Sequence, residues 1–131
     1  MLNVDYGFTR TFPKTSLTVA RERITAALAK EGFGIITEID IAATMKKKLN
    51  VEFMPYLILG ACNPQIAHQA LSLEPGVGLV LPCNVVVAEQ AGDSYVSIIK
   101  PEAMFSIIQR SDVAGLVQEV TTRLTRALAA A

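Results

Sequence analysis

The hydrophobic pattern changes period several times along this chain, and each change predicts a new element. Over residues 4–9 apolar side chains alternate with polar or small ones, which is typical of a half-buried strand, here ending near Pro13. From Ser16 the apolar residues recur on one helical face, and Gly32 follows as a stop signal. These patterns predict a first strand followed by an amphipathic helix.

The segment GFGIITEID returns to a strand pattern and predicts a second strand. Four residues are expected on one side of this strand: Ile35, Thr37, Ile39 and Ile41. Glu38 and Asp40 are expected on the other side, as a carboxylate pair that could do acid–base work or bind metal but is more typical of a solvated strand face. Asp40 also suits the N-cap of a short helix through Leu49, and three lysines at 46–48 lie where the helix dipole favours cations.

The middle of the chain predicts a buried strand, a helix and a hairpin. After Pro55 the run YLILGA is apolar on both faces, as in a central strand that is covered on both sides. Asn63 and Pro64 predict the start of a helix, because asparagine is a good N-cap and proline suits the first helical position. An apolar run over residues 79–88 and a strand pattern over residues 95–100 flank the turn AGD, which predicts an antiparallel hairpin.

The last segments complete the fold prediction. MFSII is ambiguous between a short helix and a loop, and from Asp112 an apolar stripe predicts a long final helix. Two long amphipathic helices need a sheet to cover, so residues 1–131 are predicted to form a single α+β domain. The predicted architecture is a two-layer sandwich. Its sheet is mixed or antiparallel with about five strands, and its helices lie mainly on one face. The other sheet face would stay apolar, and a homodimer is expected to cover it.

Composition narrows the expected partners and location. Hydrophobic residues make up 51% of the chain and charged residues 18%, which favours a surface partly covered by another chain. Lys+Arg and Asp+Glu both number 12, so neither nucleic acid nor an anionic membrane is an expected partner. No apolar run approaches the roughly 18–20 residues that span a bilayer, and the N-terminus lacks the apolar core of a signal peptide, so a cytoplasmic location is expected.

The two cysteines are the most informative candidates for chemistry. They are not spaced as CxxC and are expected to be free thiols. Cys62 directly precedes the Asn63 N-cap, so its sulfur could lie beside free amides at the positive end of a helix, where a thiol becomes more acidic and more nucleophilic. The ordinary alternative is that Cys62 is a small apolar residue of the core.

Cys83 is also followed by an asparagine, Asn84, at the start of a predicted strand. Because the end of one strand and the start of an antiparallel neighbour lie at the same edge of a sheet, the two thiols are expected to be close. His68 is the only imidazole, although its spacing points it away from the first helical turn. The candidate ligand-binding residues are Cys62, Asn63, Cys83, Asn84 and His68. A metal site of Cys62, Cys83 and His68 is a minor alternative.

Three classes of function stay open, because the sequence contains no nucleophile elbow, P-loop or dinucleotide-binding glycine motif. The first is a homodimeric binding module that holds a small ligand, a sulfur species or a soft metal near the cysteines. The second is a thiol enzyme in which Cys62 is the nucleophile or redox centre and Asn63 or Asn84 bonds a developing charge. The third is a structural or protein-interaction domain in which both cysteines only pack. No cofactor is indicated.

Four segments together resemble a known family: GFGIITEIDIAATMKKKL, EFMPYLILGACNPQIAHQAL, EPGVGLVLPCNVVV and VSIIKPEAM. Over about residues 6–128 they are similar to the family called domain of unknown function 302, and GACNP and LPCNV in this order are the most specific part. The resemblance implies a two-layer α+β fold, a homodimer and a bacterial or archaeal cytoplasm, but no established activity.

The resemblance assigns the family's motif positions to particular residues of this chain. They are Gly60, Cys62, Asn63, Pro64, Leu81, Pro82, Cys83 and Asn84, with Glu38, Asp40 and Pro55 in the flanking motifs. The family pattern usually has an acidic residue before its late proline, whereas this chain has Lys100. The resemblance therefore implies no shared carboxylate role at that position.

Overall fold

Five antiparallel strands form one layer of the protein, in the order β1-β5-β4-β3-β2, and helices form the other. The computed structural model describes residues 2–108 and 110–131. The elements are β1 (Gly7–Phe12), α1 (Leu17–Lys30), β2 (Gly34–Asp40), α2 (Ile41–Leu49), β3 (Tyr56–Cys62), α3 (Pro64–Leu73), a 3-10 segment (Pro75–Val80), β4 (Cys83–Gln90), β5 (Asp93–Ile99), α4 (Pro101–Phe105) and α5 (Ser111–Ala130). The predicted α+β class is confirmed, and the sheet is wholly antiparallel.

The two long helices pack side by side on one face of the sheet. Buried side chains of α1 and α5 meet alternate residues of the three central strands in one cluster that includes Ile24, Leu28, Leu59, Val85, Val96, Ile98 and Leu124. The hydrophobic stripes predicted for both helices therefore face the core. Of the helices within the described residues, none has both the length and the apolar content to cross a bilayer.

Helix capping follows the sequence prediction at three sites. Ser16 caps α1, Asp40 caps α2 by accepting a hydrogen bond from the Ala43 amide at 2.9 Å, and Asn63 caps α3. Each side-chain oxygen satisfies an amide of the first turn that has no partner inside the helix. Local sequence therefore determines where these helices begin.

The predicted hairpin is present, but its first strand begins later than expected. Ala91 and Gly92 both have positive φ, as a tight two-residue turn requires, and they join β4 to β5. Strand pairing begins at Cys83 instead of residue 79, because Pro82 has no amide proton for the ladder and residues 75–80 form the 3-10 segment. Of the ambiguous MFSII segment, Met104 and Phe105 belong to α4.

The prediction that Ile35, Thr37, Ile39 and Ile41 share one face of the second strand is wrong. Ile41 is the first residue of α2, because β2 ends at the Asp40 cap. The pairing register with β3 shifts between Ile35 and Thr37, which is a β-bulge at Ile36. Ile35 therefore pairs with Ala61 and packs on the helix-covered core, whereas Thr37 and Ile39 lie on the opposite face. One extra residue in an edge strand is enough to exchange the faces of the residues that follow it.

The second sheet face is only partly covered. Residues paired in register share a face, so five half-buried side chains lie together opposite the helix layer: Tyr56, Ile58, Val86, Tyr95 and Ile99. We call these residues the open face. Because α1 and α5 pack on the other side of the sheet, as predicted, neither of them covers the open face.

Candidate ligand-binding site

Cys62 and Cys83 lie at the same end of two neighbouring strands. Cys62 is the last residue of β3, Cys83 is the first residue of β4, and Cys83 pairs directly with Ala61 in the antiparallel ladder. The geometry follows from chain reversal, because one strand ends where its antiparallel neighbour begins. Both cysteines are free thiols.

A cavity of about 220 Å³, which we call the thiol cavity, opens beside both sulfur-bearing residues. It lies where the main core cluster meets a smaller cluster formed around Ala70, Val77, Phe105 and Val113. The residues lining it are Phe33, Ile36, Ala61, Cys62, Asn63, Ile66, Ala67, Ala70, Leu71, Leu81, Pro82, Cys83, Phe105, Leu116 and Val120. The surface of the cavity is therefore almost entirely hydrocarbon, sulfur and one amide.

The two thiols differ in environment. Cys83 is 5% exposed, and burial raises the pKa of its thiol to about 11, with a smaller contribution from the nearby Cys62. Cys83 therefore stays protonated at neutral pH and is a poor nucleophile. Cys62 is half-buried and is therefore the more accessible of the two cysteines.

Local partners occupy two amides in the first turn of α3, and the Gln65 amide that precedes them belongs to an exposed residue that does not line the thiol cavity. Asn63 Oδ1 accepts a hydrogen bond from the Ile66 amide at 3.2 Å, and the Asn63 carbonyl accepts one from Ala67 at 2.9 Å. Pro64 has no amide proton to offer. The helix end beside Cys62 therefore presents fewer free amides than a typical anion-binding N-terminus.

Gly60 has a structural reason for its place before Cys62. A Cβ on this residue would lie 2.7 Å from Pro82 Cγ and closer still to Thr37 Oγ1. The absence of a side chain thus lets Pro82 pack over β3, and Pro82 in turn lines the thiol cavity. Within the GACNP motif, Gly60 is accounted for by this close approach, and Asn63 and Pro64 by the start of α3.

Two of the predicted site residues lie away from the thiol cavity. Asn84 pairs with Gly60, is exposed and lines a wide groove of about 930 Å³ beside the open face. His68 is exposed on α3 and does not line the thiol cavity. The structure brings together Cys62, Asn63 and Cys83, and it leaves Asn84 and His68 outside this group.

The other candidate chemical groups have structural partners. Glu38 forms an ion pair with Arg21 of α1, and Asp40 is occupied as the cap of α2. Throughout residues 2–108 and 110–131, no three histidine, cysteine, aspartate or glutamate side chains are grouped so that they could hold a metal ion. Among the residues that line the thiol cavity with the two cysteines, there is therefore no aspartate or glutamate.

Several cavity residues were not among the sequence candidates. Phe33 follows the stop of α1, Phe105 lies in the ambiguous MFSII segment, and Leu116 and Val120 come from α5. The apolar stripe of α5 identifies Leu116 and Val120 as inward-facing, but nothing local to the sequence indicates that they meet Cys62. Only the packing of distant segments creates the cavity.

The fold and this site define a two-layer α+β domain with a small apolar cavity between a sheet edge and its helices. The sequence profile of the family "Domain of unknown function DUF302" matches residues 8–131, and the chain belongs to that family. It is similar to the crystal structure of the uncharacterized conserved protein DUF302 from Bacillus stearothermophilus, with 26% identity, a TM-score of 0.87 and coverage of 96% of this chain and 98% of that chain. No curated protein matches the chain significantly. The suspected family membership is confirmed.

Proposed function

We propose that this protein is a small-molecule-binding domain whose ligand occupies the thiol cavity. The observation that carries the proposal is that Cys62 and Cys83 line one cavity of about 220 Å³, although 20 residues separate them in the sequence. Apolar cavities with a few converging polar or reactive groups are the usual form of a ligand site. The half-buried Cys62 adds a polarizable side chain to the lining.

Binding is favoured over the thiol-enzyme alternative by what surrounds Cys62. The described residues that line the cavity include no histidine, aspartate, glutamate or lysine that could act as a general base. Cys83 is held protonated by burial, and Asn63 already uses its side-chain oxygen as a helix cap. The soft-metal alternative has two sulfur ligands here but lacks a third donor within the described part of the chain.

The proposal is tested by screening fragments of mixed charge against the full chain with protein-observed NMR. We expect at least one chemical class to shift the amide resonances of Cys62, Asn63 and Val120 in a saturable way. Ala67→Leu fills the cavity from α3 and should abolish the shifts, whereas Ala26→Leu on the exposed side of α1 should keep them. If no fragment of any charge affects the cavity resonances, the binding function is refuted.

We further propose that the protein forms a homodimer through the open face. The half-buried Tyr56, Ile58 and Ile99 present apolar surface there, and Leu79, 93% exposed, projects beside the same groove. A chain with balanced charge gives this face no electrostatic reason to select a strongly charged partner. A second copy of the same surface is the simplest cover, as in isologous dimers. Sedimentation equilibrium of the full chain tests this directly.

A further inference from the structure

The thiol cavity offers a ligand almost no polar contact. Its lining among the described residues consists of aliphatic and aromatic residues, two cysteines and Asn63. Neither a carboxylate nor an ammonium group is among those residues, so a charged ligand would lose its hydration without gaining an ionic partner. The composition of the wall therefore selects strongly against ions of either sign.

The nearest helix N-terminus does not change this conclusion for anions. Pro64 supplies no amide proton, and the amides of Ile66 and Ala67 are already bonded to Asn63. Gln65, whose amide belongs to the same turn, is exposed and does not line the cavity, so an anion inside the cavity would have to compete with the cap of α3 for the other amides. Oxyanions such as sulfite or phosphate are poorly matched to this position.

Size and shape indicate what does fit. An apolar protein cavity of about 150 Å³ stays dry and binds benzene, so a cavity of about 220 Å³ has room for one substituted ring or a compact two-ring molecule. Phe33 and Phe105 are far apart in the sequence, but both line the cavity. An aromatic ligand packs favourably against phenylalanine rings and against sulfur.

The rim of the cavity is apolar as well. Ile36 of the β2 bulge is 61% exposed and Leu71 of α3 is 39% exposed, and both line the cavity. Together with the half-buried Cys62 they form an entrance without charged side chains among these lining residues. An uncharged molecule can therefore pass from solvent to the interior along hydrocarbon surface.

We infer that the ligand of the thiol cavity is an uncharged, mainly hydrocarbon molecule of about one to two rings in volume, an inference that rests on the proposed binding function. Cys62 contacts the ligand at the entrance through its sulfur, and Phe33, Phe105 and Val120 enclose it. Burial of the ligand's apolar surface supplies the affinity.

The test compares three probes that share one ring: toluene, benzoate and benzylammonium. Each is titrated into the full chain while amide resonances of Phe33, Cys62 and Val120 are followed by NMR. We expect toluene to bind at the cavity and both ions to bind more weakly by on the order of a hundredfold. Ala67→Leu should weaken toluene binding at least about tenfold, and Ala26→Leu should leave it unchanged.

Xenon under pressure provides a second measurement on the unmodified protein, which does not depend on the folding of a variant. Because xenon enters dry apolar cavities, it should shift the same resonances. Tighter or equal binding of benzoate or benzylammonium at these resonances overturns the inference of an uncharged ligand but leaves the binding function standing. Absence of any shift with toluene and xenon also overturns the inference, and only the additional failure of the mixed-charge fragments refutes the binding function.

Discussion

Cys83 and Asn84 are neighbours in the chain, yet their side chains lie on opposite faces of the sheet. Cys83 pairs with Ala61 and belongs to the helix-covered core, whereas Asn84 pairs with Gly60 and lines the groove beside the open face. At the other Cys-Asn pair the strand ends at Cys62, so Asn63 turns into the helix cap and stays beside the cavity. The two similar dipeptides therefore have different structural roles.

The first prediction concerns the relative reactivity of the thiols. In the native protein Cys62 should react with iodoacetamide much faster than Cys83, because Cys83 is buried. Burial also raises the pKa of the Cys83 thiol to about 11, so at mildly alkaline pH it has about a hundredfold less thiolate than an ordinary thiol. Mass spectrometry of timed samples from Cys62→Ala and Cys83→Ala isolates each thiol.

Unfolding in urea provides the control for this experiment. The difference between the two cysteines should largely disappear when both are exposed, because the cause is the folded environment of Cys83. Equal rates in the native protein would contradict the burial that the structure assigns to Cys83.

The order of elements and the start of three helices could be predicted from the sequence. Hydrophobic period distinguishes the long helices from the strands, and Ser16, Asp40 and Asn63 are recognisable caps because their action is local. The α+β class follows, because amphipathic helices must cover a sheet. Local chemistry is sufficient wherever the interacting groups lie within a few residues of each other.

The facing of β2 and the composition of the cavity could not be predicted in this way. The bulge at Ile36 depends on how β2 aligns with β3, and that register is a long-range property. In the same way Phe105 and Val120 reach Cys62 only through the packing of α4 and α5. The proximity of the strand ends that carry Cys62 and Cys83 could be predicted from the sequence, since the antiparallel order of β3 and β4 places these ends together.

The second prediction concerns the dependence of stability on pH. Since the pKa of Cys83 is raised from 9.0 to about 11 in the folded state, the folded protein holds this proton more tightly than the unfolded chain. The resulting stabilisation is fully present below about pH 9 and is lost as pH rises through about 11, and a shift of two units corresponds to about 2–3 kcal/mol.

Urea unfolding between about pH 8 and pH 11 measures this contribution. Cys83→Ala should lose less of its unfolding free energy across the range than the wild type, because the titrating thiol has been removed. Cys62→Ala serves as the matched control and should follow the wild-type slope closely. The assignment to Cys83 fails if the two variants lose stability in parallel.

The third prediction concerns the close packing at Gly60. Gly60→Ala should lower the free energy of unfolding by about 1–3 kcal/mol, because the added Cβ collides with Pro82 Cγ at 2.7 Å and with Thr37 Oγ1. Gly34→Ala is the matched control in β2, where an added Cβ meets nothing within 4 Å, and its effect should stay within about 0.5 kcal/mol.

A second substitution separates the two contacts of Gly60. Adding Thr37→Ala to Gly60→Ala should restore only part of the lost stability, since the contact with Pro82 is still present. Chemical denaturation of the wild type, Gly60→Ala, Gly34→Ala and the double variant gives the required free energies of unfolding. Similar losses for Gly60→Ala and Gly34→Ala would show that close approach is not the reason for glycine at position 60.

The fourth prediction concerns the proposed homodimer and its surface. Sedimentation equilibrium should give twice the monomer mass of 14.1 kDa for the wild-type chain. Ile58→Lys places a charge in the middle of the open face, where a partner copy would bury it without an ionic partner, so the dissociation constant should rise at least about a hundredfold. Val19→Lys, on the exposed side of α1, is the control and should stay dimeric. Of the two substituted residues, only Ile58 lies on the open face. A monomeric wild type, or equal weakening of the dimer by both substitutions, would therefore exclude the open face as the dimer interface.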